Sequence, residues 1–507
     1  MMPPAERRVR GPAGDRDGKV KDLADFVALW VDRASEVPLF RQIYAGLREA
    51  ILSGQLPAGT KLLSTRVMTE RLRVSRTPVV AAYEQLLSEG YVTGRLGSGT
   101  YVAEGLIDVV RVSAPPAKRG PGREAVRLSK AGERARDASP HLPATGHGVF
   151  TTGICSTDAR TLDTLYQIGR KHLQDLGSHR GYDDPQGRYE LRAQIANYLN
   201  AARGLLCSPE QIIIVNGSQQ AVDLALRVLV DPGEKIWLED PCYKPASAAA
   251  RLLGAQICPV PVDEYGIDVR TGIERWPDAR FAYVTPSHQY PMGVSLPADR
   301  RLELLRWAKE AGAWIIEDDY DCEFRYDGHP LATLYSLDNA ESVIYVGSFS
   351  KVLLPGLRLG YMVVPPKLRD AFLGARYLSD RHPTIFPQLL VQGFLERGQL
   401  AAHIRRMRAI YRETRDILVD RLQSQLGHHL DVAPPAQGMH LVAKLRDASI
   451  SDIEITERCA AAGIAVRPVS PLFLSAPSFQ GLMLGFTGYS IPELLAGCAK
   501  LASVLRD

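Results

Sequence analysis

Residues 347–361 read GSFSKVLLPGLRLGY, and the role of the single lysine in that stretch, Lys351, decides the fold of most of the chain. The run just before it, SVIYVG (342–347), is continuous, apolar and rich in β-branched residues, as a strand buried on both faces would be. Its end delivers Ser348, Ser350 and Lys351, and Arg358 follows seven residues after the lysine. Hydroxyls and a guanidinium at a strand end suit a phosphate dianion, because both donate directional hydrogen bonds and one carries charge. Lys351 is then either a solvated loop cation or an amine held beside a phosphate.

The sequence further upstream favours the second reading. In IIIVNGSQQAVDLAL (212–226), Gly217, Ser218 and Gln219 fall between a strand and a helix, where backbone N–H groups favour an anion. In AWIIEDDYDCEFRY (313–326), Asp318 ends a buried strand 33 residues before Lys351, with Tyr320 two residues beyond it. A carboxylate there is costly unless it meets a cation, and a protonated pyridine nitrogen is such a cation. Asp319 and Asp321 are expected only to cap the following loop. A phosphate cup, an amine for a Schiff base and a carboxylate for a pyridinium together point to pyridoxal 5'-phosphate. The runs QIIIVN, KIWLED, RFAYVTP, AWIIEDD and SVIYVGS alternate with amphipathic helical stretches, which predicts a largely parallel sheet covered on both faces.

The whole chain has 507 residues, too many for one compact core, with 45% hydrophobic and 23% charged residues. Its net charge of +4 is too small to mark the whole chain as a nucleic-acid binder. Seven scattered cysteines with no C-x-x-C pair suggest neither a disulfide framework nor a metal site, and fit a reducing cytoplasm. No apolar leader and no run of 18 apolar residues occurs, so neither a signal peptide nor a membrane span is expected. Residues 1–36 read as a flexible arm. Residues 104–148 read as a linker, since 115–143 carries seven basic and three acidic residues with prolines and no apolar period. The remaining segments, 37–103 and 149–507, are the expected domains.

The smaller one predicts three short helices and a ribbon. Phe40, Ile43, Tyr44, Leu47 and Ile51 mark one face of the first helix, and Gly54 a stop. Ser64 or Thr65 is the expected N-cap of the second helix and Ser75 of the third, with Pro78 in its first turn and Val79, Tyr83, Leu86 and Leu87 buried. YVTGRLGSGTYV closes as a ribbon around a Gly-rich tip. This is a winged helix-turn-helix pattern, with eight Lys/Arg against four Asp/Glu in 37–103. Through PLFRQIYAGLREAILSGQLPAGTKLLSTR, VSRTPVVAAYEQLLSEGYV and GSGTYV it resembles the GntR family of regulators, with Leu63 where that family usually has proline. The pattern and the resemblance together make Arg66, Ser75, Arg76, Thr77, Arg95, Gly97 and Gly99 the expected contacts to an operator in double-stranded DNA.

Residues 149–507 resemble fold-type I, class I/II aminotransferases through GYDDPQGRYELRAQIANYL, NGSQQAVDLAL, EDPCY, VTPSHQYPMG, IEDDYDCEFRY and SFSKVLLPGLRLGY. The resemblance implies Lys351 as the Schiff-base lysine, Asp318 on the pyridinium and Tyr320 on the ring hydroxyl. It implies Ser218, Gln219, Ser348, Ser350 and Arg358 on the phosphate, and Tyr243 stacked on the ring. The family's asparagine at the ring hydroxyl is absent from VTPSHQYPMG, and His288 or Gln289 is the expected substitute. The fusion as a whole resembles the MocR-type regulators. The fold class implied is multidomain: an α+β winged helix-turn-helix domain joined by a linker to an α/β aminotransferase-like domain. The function implied is a homodimeric transcriptional regulator that senses an amino compound or pyridoxal phosphate through Lys351. A DNA-tethered aminotransferase is the alternative. Against turnover stands Met483 in GLMLGFTGYS, where such enzymes carry an arginine for the substrate carboxylate; Arg467 in GIAVRPVS is the candidate replacement.

Overall fold

The computed structural model describes residues 31–95, 97–104, 127–138, 148–174, 181–328, 331–339, 341–447 and 449–506. The expected arm before residue 31 and most of the expected linker lie outside the described residues. The chain divides into two compact units, Met1–Arg127 and Leu128–Asp507.

In the first unit, α1 (Leu39–Leu52), α2 (Thr65–Leu72) and α3 (Arg76–Ser88) precede an antiparallel ribbon of β1 (Val92–Arg95) and β2 (Gly99–Val102). Their apolar faces meet in one cluster that includes Ile43, Leu47, Ile51, Met68, Leu72, Val79 and Tyr83. The expected face of α3 needs one correction. Leu87 is 41% exposed and Ala82 is buried, because 79, 82, 83 and 86 share one side of a 3.6-residue helix and 87 turns away from it. Ser64 caps α2, its hydroxyl accepting from the Val67 N–H at 3.3 Å. The Leu63 carbonyl accepts from the Tyr83 hydroxyl at 2.9 Å, which fixes the start of α2 without a proline.

The second unit is built on an eight-stranded sheet. Its strands are β3 (Ile212–Val215), β4 (Lys235–Asp240), β5 (Gln256–Asp263), β6 (Gly266–Ile267), β7 (Phe281–Val284), β8 (Trp314–Asp318), β9 (Val343–Ser348) and β10 (Gly360–Val363). The order is β3-β10-β9-β8-β7-β4-β5-β6. Strands β4, β5, β7, β8 and β9 run parallel, while β10, which begins in the LGY end of 347–361, lies antiparallel between β3 and β9. Both faces are covered, as a continuous apolar run requires: Ile212 and Ile214 enter one cluster, Ile213 and Val215 another. A second, antiparallel sheet of β11 (Leu430–Val432), β12 (His440–Leu445), β13 (Arg467–Pro468) and β14 (Gly481–Gly485) has the order β11-β12-β14-β13. It packs with helices Gln399–Leu426 and Ile491–Arg506 around its own core.

The expected tether contains a helix, Lys130–Ala138, that belongs to the second unit. It docks on the C-terminus of helix Lys244–Leu253, where Arg134 donates to the Leu252 carbonyl at 3.1 Å. A guanidinium on the last free carbonyls of a helix is favourable both as a hydrogen bond and against the helix dipole. The helix buries no residue of its own, so it leaves no apolar period to read. Among the described residues no helix is long and apolar enough to cross a membrane.

Candidate functional site

The C-terminal ends of the parallel strands bring the sequence-predicted residues to one edge of the large sheet. Tyr243 follows β4, His288 and Gln289 follow β7, Asp318 ends β8 and Tyr320 follows it, and Ser348, Ser350 and Lys351 close β9. Ser218 and Gln219 begin helix Ser218–Leu229 after β3, with Gly217 as its N-cap. That edge is where open α/β sheets bind ligands.

One half of the cleft carries hydroxyl, amide and guanidinium groups. The Ser350 N–H donates to Ser348 Oγ at 3.1 Å, while Ser350 Oγ is buried without a hydrogen-bond partner. Arg358 donates to the Asn216 carbonyl at 2.8 Å and lies against Gly217, where a Cβ would sit 3.2 Å from the guanidinium. Gly217 has φ +104°, so both backbone and space call for glycine there. Gln219 donates to the Pro245 carbonyl at 3.1 Å, and its Oε1 is buried and unpartnered. Lys351 projects against Gly153, where a Cβ would overlap its Nζ. Burial lowers the Lys351 pKa, and the nearby Arg467 and Arg358 push the same way against Cys155 and Asp321.

The other half is acidic. Asp318 accepts from the Tyr283 hydroxyl at 2.8 Å through one oxygen, and the other, Oδ1, is buried with no partner. Burial pushes its pKa up to about 7, with Asp319 and Asp321 adding to the rise and Tyr283 and Lys351 opposing it. Asp319 and Asp321 are not loop caps. Asp319 is buried against Arg203 at 2.6 Å and the Tyr345 hydroxyl at 2.7 Å, and Asp321 is buried against His288. Burial raises Asp319, but Arg203 and the hydrogen bonds outweigh it and hold the carboxyl below its ordinary range.

The Asp318 shift has a measurable consequence. A carboxyl whose folded pKa is raised binds more protons folded than unfolded, so its contribution is full below the unfolded value near 3.8 and is lost as pH climbs through about 7. Without a cation at Oδ1, stability is expected to fall from pH 4 to 8 by an amount on the order of a few kcal/mol. Asp318→Asn should make that decline shallower in thermal denaturation of ligand-free protein, leaving the part due to Glu239, Glu317 and Glu323, which burial also pushes up to about 7. An unchanged slope would refute the assignment.

Gln289 is turned away from the cleft. Its amide donates to Glu239, the Pro241 carbonyl (2.9 Å) and the Tyr290 carbonyl (2.8 Å), and its oxygen accepts from the Met292 N–H at 3.0 Å. Its neighbour Tyr290, passed over in the sequence, takes the central place: 5.6 Å edge-on to Tyr243, 6.2 Å from Tyr320 and 5.7 Å from His440. Arg467 acts on the Tyr290 hydroxyl and, through space, on Tyr243, His440 and Lys351. Arg467 and Met483 are cross-strand partners on β13 and β14 and therefore share a face. Leu482 and Leu484 enter the core of the small sheet, so the fully buried Met483 points to the opposite side. Cys155, also unforeseen, donates its thiol to the Lys351 carbonyl at 3.0 Å.

In the first unit, Arg66, Ser75, Arg76, Thr77, Arg95, Gly97 and Gly99 are all exposed. Ser75 begins α3 with a side chain that makes no capping bond, which leaves its hydroxyl for another partner. Among the described residues Arg66 pairs with Glu70 alone, at 3.3 Å with both side chains largely in solvent, a pair too weak to hold it. Arg95 lies over the Tyr101 ring and 3.5 Å from Glu104.

Residues 39–102 match the model for bacterial regulatory proteins of the gntR family, and residues 149–479 that for aminotransferase class I and II. The probable rhizopine catabolism regulatory protein MocR of Rhizobium meliloti is 36% identical over 94% of this chain and 95% of its own. The pyridoxine biosynthesis transcriptional regulator PdxR of Corynebacterium glutamicum is 32% identical over 95% and 99%. The chain belongs to the MocR-type regulators. Members join a GntR helix-turn-helix domain to an aminotransferase-like domain, and this chain is such a transcriptional regulator. Among solved structures, the α-aminoadipate aminotransferase LysN of Thermus thermophilus, complexed with N-(5'-phosphopyridoxyl)-L-leucine, is 28% identical with a TM-score of 0.69. It covers 75% of this chain and 97% of that one. Family and neighbours imply the use of pyridoxal phosphate. The residues present fit it: Asp318 Oδ1 lacks a cation, Ser350 Oγ lacks a partner, and Gly153 and Gly217 leave room beside Lys351 and Arg358.

Proposed function

We propose that this regulator holds pyridoxal phosphate at Lys351, reads an amino compound there, and reports it as a change in operator affinity. The observation that carries the reading is a DNA-binding domain on the same chain as a cleft whose buried Asp318 Oδ1 and Ser350 Oγ await partners beside Lys351. When bound, the cofactor supplies an aldehyde that condenses reversibly with primary amines and a pyridinium that draws electrons. Lys351 presents Nζ to the cleft, and its lowered pKa keeps more of the amine neutral, the form that condenses. Asp318 would hold the proton on the pyridine nitrogen. Ser218, Gln219, Ser348, Ser350 and Arg358 would take the phosphate, and Tyr243 and Tyr320, the latter with His288 beside it, would hold the ring. Arg467 takes the anionic end of the amino compound. Ser75, Arg76 and Thr77 enter the major groove, Arg66 meets phosphate, and Arg95 with Gly97 and Gly99 lies along the neighbouring groove. The protein works as a homodimer in the cytoplasm.

A regulator needs differential binding between two states and no turnover. The test is fluorescence anisotropy of an operator fragment with cofactor-loaded protein, titrated with a panel of amino compounds while keto acid is measured. A change in operator affinity of about 5-fold or more is expected for the cognate amine, with keto acid below one equivalent. Continuous keto-acid production at unchanged operator affinity would overturn the reading in favour of an enzyme. In the same assay Arg76→Ala should weaken operator binding by about 10-fold, as the loss of one groove contact does. Normal binding by that variant would remove Arg76 from the interface.

A further inference from the structure

Beside the cleft, three oxygens converge on one nitrogen. His288 Nδ1 lies 3.0 Å from each carboxylate oxygen of Asp321 and 3.0 Å from the Tyr320 hydroxyl. The side chains of His288 and Asp321 are both 1% exposed. His288 Nε2 is buried without a partner, walled by Gly293 and by Gly438, where a Cβ would overlap the imidazole. Among the described residues, the other titratable and charged groups around the ring and the Tyr320 hydroxyl are His440 on β12, 5.3 Å away, Asp318, Glu239 and Tyr290, which act on Tyr320 through space, Lys351 beyond Asp321, and Arg467 beyond His440. His440 adds no charge: burial pushes its pKa down to about 3, and its Nε2 faces the Pro291 carbonyl at 3.0 Å.

A ring nitrogen carries either one proton or one lone pair, so it cannot serve three oxygens alike. An ionised Asp321 can only accept, and a lone pair on Nδ1 would face that carboxylate in repulsion. The opposite tautomer would also drive an N–H into the glycine wall, where it finds no acceptor. The proton therefore stays on Nδ1 and points at Asp321 and the Tyr320 oxygen. Tyr320 cannot then donate to His288, and among the described residues its hydroxyl has no other hydrogen-bond partner, so its proton is left for the cleft. We infer that His288, locked in one tautomer by Asp321, is a positioning residue that makes the Tyr320 hydroxyl an obligate donor into the cofactor site. The inference rests on the proposed cofactor site, and it adds the residues that set the hydrogen-bond polarity there.

A donor aimed at the cofactor's ring oxygen stabilises its anionic form and so lowers the pH at which the bound chromophore loses its proton. The test is a pH titration of the visible absorbance of full-length protein loaded with pyridoxal phosphate. Tyr320→Phe removes the donor and should raise the chromophore midpoint by about one pH unit. Asp321→Asn keeps the volume but offers an N–H to Nδ1, which lets the imidazole turn acceptor and capture the Tyr320 proton, so it should shift the midpoint in the same direction. His288→Asn, whose amide can still donate to both oxygens, should stay near wild type. The inference is overturned if Asp321→Asn titrates as wild type does while Tyr320→Phe shifts, or if neither shifts. A wild-type protein that forms no borohydride-reducible chromophore would instead sink the cofactor reading on which it rests.

Discussion

Replacing Lys351 by alanine is expected to abolish covalent retention of pyridoxal phosphate. Wild-type protein mixed with the cofactor and reduced with borohydride should carry one pyridoxyl label per chain, and peptide mapping should find it on Lys351. The expectation comes from placement. Lys351 leaves the end of β9 between Ser348, Ser350 and Arg358 on one side and Asp318 on the other, and Gly153 gives its Nζ room that any side chain would take. Burial lowers its pKa, so labelling should persist to lower pH than for a free lysine amine. Lys244 is the natural control. It follows Tyr243 directly and its pKa is also lowered by burial, but its ammonium is held by the Phe473 carbonyl at 2.9 Å. Lys244→Ala should label as wild type does. A label that survives in Lys351→Ala, on Lys244 or elsewhere, would remove Lys351 from its proposed role.

What the sequence disclosed about this cleft was what lies within a few residues of a strand end. Ser348, Ser350 and Lys351 follow one apolar run and Asp318 closes another, so strand period and the cost of a buried charge located them together. The partners across the cleft left no such local trace. Tyr290 sits one residue beyond Gln289, and only the hydrogen bonds that tie up the Gln289 amide show which of the two faces the site. Asp321 reads as a loop acid until His288, 33 residues earlier in the chain, is seen against it. Gly153 and Cys155 reach Lys351 from a segment almost 200 residues away. The helix at 130–138 was illegible for another reason: it is held by Arg134 on a helix end rather than by an apolar stripe.

The register of β13 against β14 carries the last expectation. The resemblance to aminotransferases leads one to expect a guanidinium where Met483 stands, and a thioether cannot donate to a carboxylate. Here Met483 is fully buried and pairs directly with Arg467, so the two side chains stand on the same face of the small sheet, one strand apart. Moving the cation one strand over keeps it near Tyr290, Tyr243 and Lys351 but changes the distance from amine to anion in any ligand that spans the cleft. Arg467→Ala is therefore expected to raise by about 100-fold the concentration of an anionic amino compound that half-changes operator affinity, since removing one partner of a hydrogen-bonded charge pair that the ligand shields from water costs ~2–5 kcal/mol. The response to an uncharged amine such as a simple alkylamine should change little, which separates a lost anion contact from general damage to the cleft. Met483→Arg placed in the Arg467→Ala background should restore anion recognition with a preference for ligands of a different length, because the guanidinium then starts from the neighbouring strand. If Arg467→Ala responds to anionic and neutral amines as wild type does, Arg467 is not the anion's partner. If Met483→Arg restores nothing, the face shared by β13 and β14 is not where the ligand's anionic end lies.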